Sequence, residues 1–322
     1  MIARDSESNV NGLLLGIAAG AASALLFAAV TSGGALGTPL FFISALPIAI
    51  ITIGWGTLAA GAAVLAGVIG LWTLVSWKAA LLHALVIAGP MAFYGYLVGL
   101  GRPLDAEGKT FEWYPLSRVF MAMVLLTAIT IVAVGVIIGF DVQATASDVA
   151  DMLVDMSQSS GELGAPTRDE LMPALLIYMR LMPLALAMFW LVLTAFNLWL
   201  GSRVVRLSGR LKRGDDTIAE ATNLPFWMAA VFVVAALLAS QDNSLGLIAG
   251  VVAGASGMGF AMVGFAVVHV FVRGNPAAPL ILGVTYGATF ILSVPLIPLA
   301  IAGILDGPLG LRAKRLNKRP SA

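Results

Sequence analysis

Apolar residues run in blocks of about 20, the length that crosses the hydrocarbon core of a bilayer, and these blocks recur from Gly12 to Ile304 between short polar connections. They fall at 12–30, 39–53, 57–76, 80–100, 118–140, 171–200, 224–240, 245–272 and 278–304. The pattern predicts an all-α fold, a polytopic transmembrane helix bundle of about 8–10 spans with nine favoured. Between the second and third blocks, Gly54-Trp55-Gly56 carries no charge, so those spans are expected to form a tight antiparallel hairpin.

One connection is too long to be a turn. Within 147–157, Val149, Met152, Leu153 and Met156 are read onto one helical face and Asp148, Asp151 and Asp155 onto the other. That predicts a short amphipathic outer helix, either a lid over a cavity or a solvated connector. Thr167 followed by Glu170 has the spacing of a capping box and should start the next span.

Composition places the blocks in one environment. With 60% hydrophobic and 11% charged residues, the chain has too little polar surface to cover a water-soluble fold. We read 1–322 as a single integral membrane domain: helices over 12–140, an acidic outer connector at 141–170, C-terminal helices over 171–305 and a basic tail at 306–322. The run after MIARDSESNV is too long for a signal-peptide core and is read as a retained first span. The absence of cysteine excludes disulfides and thiolate chemistry, and no basic domain marks a nucleic-acid partner.

The formal charge of +1 conceals a segregation of sign. Arg203, Arg206, Arg210, Lys212 and Arg213 crowd 201–223, whereas 141–170 holds Asp141, Asp148, Asp151, Asp155, Glu162, Asp169 and Glu170 against Arg168. The bias of Lys and Arg to the cytoplasmic side puts the first segment inside, the second outside and the N-terminus in the cytoplasm. Counting back also puts Arg102, Lys109 and Arg118 inside. Counting forward creates a conflict, because a single span at 278–304 would carry Arg312, Lys314, Arg315, Lys318 and Arg319 outside. A bent hairpin helped by Pro295 and Pro298, a break in the preceding span, or an exceptional tail would each remove it.

Small residues four apart let helices approach closely. Gly16, Gly20 and Ala24, with Ala18/Ala22 and Ala19/Ser23, form such a pattern in the first span, and Gly246, Gly250 and Gly254 repeat it in the eighth. Packing within the bundle and docking onto another subunit both fit. Ionisable residues inside spans are costly and mark cavities or partners; those here are His83, Arg180 and His269. His83 and Tyr94 lie eleven residues apart, about three helical turns, which suits a shared polar seam; an interfacial histidine is the other reading. Arg180 would bind an anionic group or reach the headgroups, and Asn197 is expected to form an interhelical hydrogen bond.

No Gly-x-x-x-x-Gly-Lys-[Ser/Thr], His-Glu-x-x-His, Gly-x-Ser-x-Gly or intramembrane carboxylate pair occurs in the chain. No catalytic residue, metal or cofactor is expected, and an enzyme is not the favoured reading.

The Gly54-Trp55-Gly56 hairpin, the acidic helix before the sixth span, the Arg203–Arg213 segment and the ending Val268-His269-Val270-Phe271-Val272-Arg273, Gly303-Ile304-Leu305-Asp306 and Leu311-Arg312 together resemble the YybS-like family of bacterial membrane proteins. Its first helices are in turn similar to S-components of energy-coupling-factor vitamin transporters. That likeness implies an inner-membrane protein whose first helix, at Gly16/Gly20 and Ala18/Ala22, docks on a transmembrane coupling subunit served by separate ATPases. S-components usually have six spans, however, and no vitamin-binding motif carries over. The expectation is a substrate-binding component with an outward cavity near His83, Tyr94 and Arg180; the alternative is a non-transporting scaffold or envelope-biogenesis factor.

Overall fold

The computed structural model describes residues 2–105, 110–159, 166–214, 217, 219 and 222–317. The Lys109, Glu162, Lys318 and Arg319 of the charge reading lie outside the described residues. In chain order the helices are α1 Ile2–Ala28, α2 Gly37–Phe42, α3 Leu46–Trp55, α4 Thr57–Leu74, α5 Trp77–Leu82 and α6 Gly89–Gly99, the last two joined by a π turn at His83–Ala88. A two-stranded antiparallel ribbon, β1 Gly101–Pro103 with β2 Phe111–Trp113, leads to α7 Leu116–Ile138. Then come α8 Val142–Ser159, α9 Arg168–Leu207, α10 Trp227–Leu238, α11 Ser244–Val272, α12 Ala278–Leu292, α13 Leu296–Leu309 and α14 Leu311–Asn317.

This is an all-α, multi-pass membrane protein. Among the described residues, seven helical segments are long and apolar enough to cross a bilayer, and the pair α13–α14, bent by 66°, makes an eighth if it counts as one. The remaining apolar helices, α10 and α12, are shorter. At 1.5 Å per residue, α10 reaches only about 18 Å. Pro225 precedes it, and Asn243 ends the connection after it by capping α11, accepting from the Gly246 N–H at 3.0 Å.

The stretch 278–304 is not one continuous helix but two, α12 and the start of α13. It breaks at Ser293, whose φ is +56°, ahead of Pro295. The far end returns to the basic connection: Arg312 donates to the carbonyls of Ala219 at 2.6 Å and Thr222 at 2.7 Å. It also bonds the buried Asp306 carboxylate at 2.7 Å. The start of the basic tail therefore lies beside Ala219 and Thr222 of the basic connection, the arrangement that the charge rule favours.

Glycines set how closely the helices pack. A Cβ at Gly16 would overlap the Ala59 carbonyl, and one at Gly20 the Ala63 carbonyl, so α1 lies directly on α4. The same role falls to Gly254 against the Leu184 carbonyl of α9. Gly250 meets only the Leu184 side chain at 3.8 Å, and Gly246 fits against its own approach turn at Gln241. Ala18 is exposed and Ala22 half-buried. Helix α11 is the hub, with Gly257 against Phe232 of α10, Gly259 against Val124 of α7 and Gly264 against the Leu299 carbonyl of α13.

Candidate functional site

The second span is discontinuous. Pro47 has no N–H to give the Ile43 carbonyl; Leu46 N donates to it instead at 3.0 Å, and residues 43–45 form a turn between α2 and α3. A break inside a membrane leaves backbone carbonyls that something in the protein must satisfy. Here two side chains from other spans do so. Asn197 of α9 donates through Nδ2 to the Phe42 carbonyl at 2.9 Å, and Ser23 of α1 donates to the Ser44 carbonyl at 2.7 Å. Asn197 thus makes its expected interhelical bond, to a backbone group that the break has freed.

His83 belongs to this cluster. Its Nε2 lies 2.9 Å from the Ser23 hydroxyl. That hydroxyl has one proton, already given to the Ser44 carbonyl, so it accepts from Nε2–H. Phe27 meets the imidazole edge-on at 5.3 Å between centroids. Gly67 supplies the space, since a Cβ there would stand 2.8 Å from His83 Cε1. The histidine opens the π turn, whose widened hydrogen-bond spacing precedes Pro90, a residue unable to donate to the turn before it. His83 is fully buried within the protein.

The three residues expected to share one outward cavity have different settings: His83 and Tyr94 are buried, whereas Arg180 is exposed. Tyr94 is buried in the main core beside Phe93. The π turn between His83 and Tyr94 breaks the regular phase on which an eleven-residue seam depends. Arg180 is exposed, and its anionic partner is the chain's own Asp242 in the connection between α10 and α11. The break was missed although its signals, Ser44 and Pro47 inside an apolar block, stand in the sequence.

A cavity of about 550 Å³ lies at the other end of α3, where the Gly54-Trp55-Gly56 turn meets the basic connection. Trp55, Tyr96 and Trp113 line it together with Arg210 and Lys212. The Arg210 guanidinium sits over the Trp55 ring at 4.5 Å, a cation–π contact that holds the connection against the hairpin. Arg213, buried, donates to the Tyr114 carbonyl at 2.8 Å and ties that connection to the residue following β2. Leu211 and Arg213 also border a second cavity of about 370 Å³, lined by Phe120, Trp199, Arg203 and Arg206. Hairpin and basic segment were each legible in sequence; their meeting was not.

At the acidic end the capping box forms, with Thr167 N donating to Glu170 Oε2 at 2.7 Å. Helix α8 packs on α9 through Ala146 and Ala150, and Asp151 pairs with Arg168 at 2.8 Å. Met152 and Met156 are 53% and 59% exposed and share a face with Asp148, Asp151 and Asp155. This corrects the expected apolar face: small alanines allow closer approach to α9 than the methionines do.

Comparison of the chain with protein-family models, curated proteins and solved structures returns no match. The break itself is open to test. Asn197→Leu should lower stability by about 1–3 kcal/mol by stranding the Phe42 carbonyl, read as a fall in the thermal midpoint of the purified protein. An unchanged midpoint would mean that the carbonyl finds another donor.

Proposed function

We propose that this multi-pass protein is the ligand-binding component of a membrane transport system, the reading its resemblance to the YybS-like family and to S-components implies. The observation that carries it is the cavity at the basic end. Aromatic rings beside Arg210 and Lys212 suit a small anionic molecule with a flat or apolar body, whose charge pairs with the cations while the rings cover the remainder. By the charge rule this end is cytoplasmic. Gly12 lines the same cavity, which supports reading the N-terminal end of the first span as cytoplasmic too, in a bacterial inner membrane.

The docking surface follows from burial. Gly16 and Gly20 are taken up against α4, whereas Ala18 is exposed beside Leu14 and Leu25. In this reading Ala18 and Ala22 meet the coupling subunit, and separate ATPases supply the energy. Affinity purification from native membranes followed by mass spectrometry tests this: a coupling subunit and its ATPases should be recovered, and lost on Ala18→Leu. Recovery of envelope-synthesis proteins without an ATPase would replace this reading with the scaffold. Helix α12, none of whose residues is buried, favours that second reading by offering apolar surface to a partner.

The cavity has its own test. Arg210→Ala combined with Lys212→Ala removes charge-assisted bonds worth about 1.5–3 kcal/mol each. A small anion retained by the purified protein and detected by native mass spectrometry should fall about tenfold or more. Equal retention by the double variant would dismiss the cavity as the binding site.

A further inference from the structure

Two buried oxygens at the break in the second span, Ser44 Oγ and Asn197 Oδ1, have no hydrogen-bond partner among the described residues. The Asn197 amide cannot be turned round to remove the problem. Its Nδ2 donates to two carbonyls, those of Phe42 and Leu193, both at 2.9 Å, so the oxygen must face the other way. Ser44 and Asn197 line one small cavity of about 10 Å³, walled by Phe41, Phe42, Met91 and Trp190. That volume accommodates a single water-sized molecule.

We propose that this cavity is a binding site for one internal water, which donates to Asn197 Oδ1 and exchanges a second hydrogen bond with the Ser44 hydroxyl. Both partners are needed. An amide oxygen only accepts, so the occupant must carry a proton to give; a hydroxyl both gives and takes. A bare monovalent cation fits the volume but not the electrostatics, because no carboxylate lines the cavity and a buried charge without a counter-charge is strongly disfavoured. The Phe42 and Ser44 carbonyls already accept from Asn197 and Ser23. The water joins the turn at 43–45 to α9, completing the polar joint that replaces the missing helical bonds. This inference is independent of the transport reading.

Radiolytic hydroxyl labelling of the purified full-length protein tests it, because radicals generated from a trapped water oxidise the side chain beside it even when bulk solvent is excluded. Met91 and Met228 are both 1% exposed, and only Met91 borders this cavity. Met152 and Met156 are exposed references. Met91 should be oxidised several-fold faster than Met228, approaching the exposed methionines, and Ser44→Val, which fills the cavity and removes one partner, should abolish the difference. Met91 as slow as Met228 in the wild-type protein would overturn the proposal, as would labelling unaffected by Ser44→Val. A Met91 rate that falls when sodium replaces choline in the buffer would also overturn it, assigning the cavity to a cation.

Discussion

Gly264→Val and Gly303→Val should each detach α13 from α11 and leave little monodisperse protein after purification. The two glycines face one another across a reciprocal contact. A Cβ at Gly264 would overlap the Leu299 carbonyl, and one at Gly303 the Phe260 carbonyl. In both cases the obstacle is backbone, which cannot swing aside as the end of a long side chain can. Overpacking of a well-filled core costs about 1–3 kcal/mol, and more where nothing yields; here the helices themselves would have to separate. Gly283→Ala and Gly61→Ala are the controls, since nothing lies within 4 Å of a Cβ built at either position. They should leave the thermal midpoint unchanged or raise it slightly, by the roughly 0.5–1 kcal/mol that separates glycine from alanine inside a helix. Normal size-exclusion profiles and midpoints for both valine variants would mean that α11 and α13 are not in backbone contact.

Loss of the Arg312 guanidinium should be the other severe change. Arg312 and Asp306 are both buried, and the guanidinium bonds the carboxylate and two carbonyls of the basic connection. Arg312→Ala leaves Asp306 without its counter-charge and takes the guanidinium donor from the Ala219 and Thr222 carbonyls. Removing one member of a buried pair costs about 3–5 kcal/mol. Arg312→Lys should rescue little, because an ammonium on a flexible stem lacks the planar fork that reaches three acceptors at once. Asp306→Leu combined with Arg312→Met should lose less than Arg312→Ala, since it strands no charge. Thermal unfolding of the three variants decides the matter: if Arg312→Ala melts with the wild type, the pair does not hold the tail to the connection.

The Arg312 contacts also account for the start of the tail lying against the basic connection. Read as a sequence, 278–304 is one apolar block and its prolines permit a bend without requiring one. The Arg312 bonds to Ala219 and Thr222 supply the constraint, and they join residues some 90 positions apart along the chain. Arg180 shows the same limit. Its position within a span announced an unusual residue, but nothing local identified Asp242, in a connection 62 residues away, as its partner.

What the sequence determined by itself was everything with a local cause. Runs of apolar residues set the membrane class and most span positions, because bilayer thickness imposes a length that can be counted along the chain. The Thr167–Glu170 box was legible because both partners lie within one turn, and the four-residue spacing of Gly16, Gly20 and Gly254 marked faces suited to close packing. The lateral order of the helices was decided only by the tertiary structure. Lipid chains are as apolar as leucine, so an apolar face reads alike whether it meets lipid or another helix. The site depended on that order. Ser23, Ser44, His83 and Asn197 come from four separate spans, and they became one polar joint because α1, the π turn and α9 come together where the second span breaks.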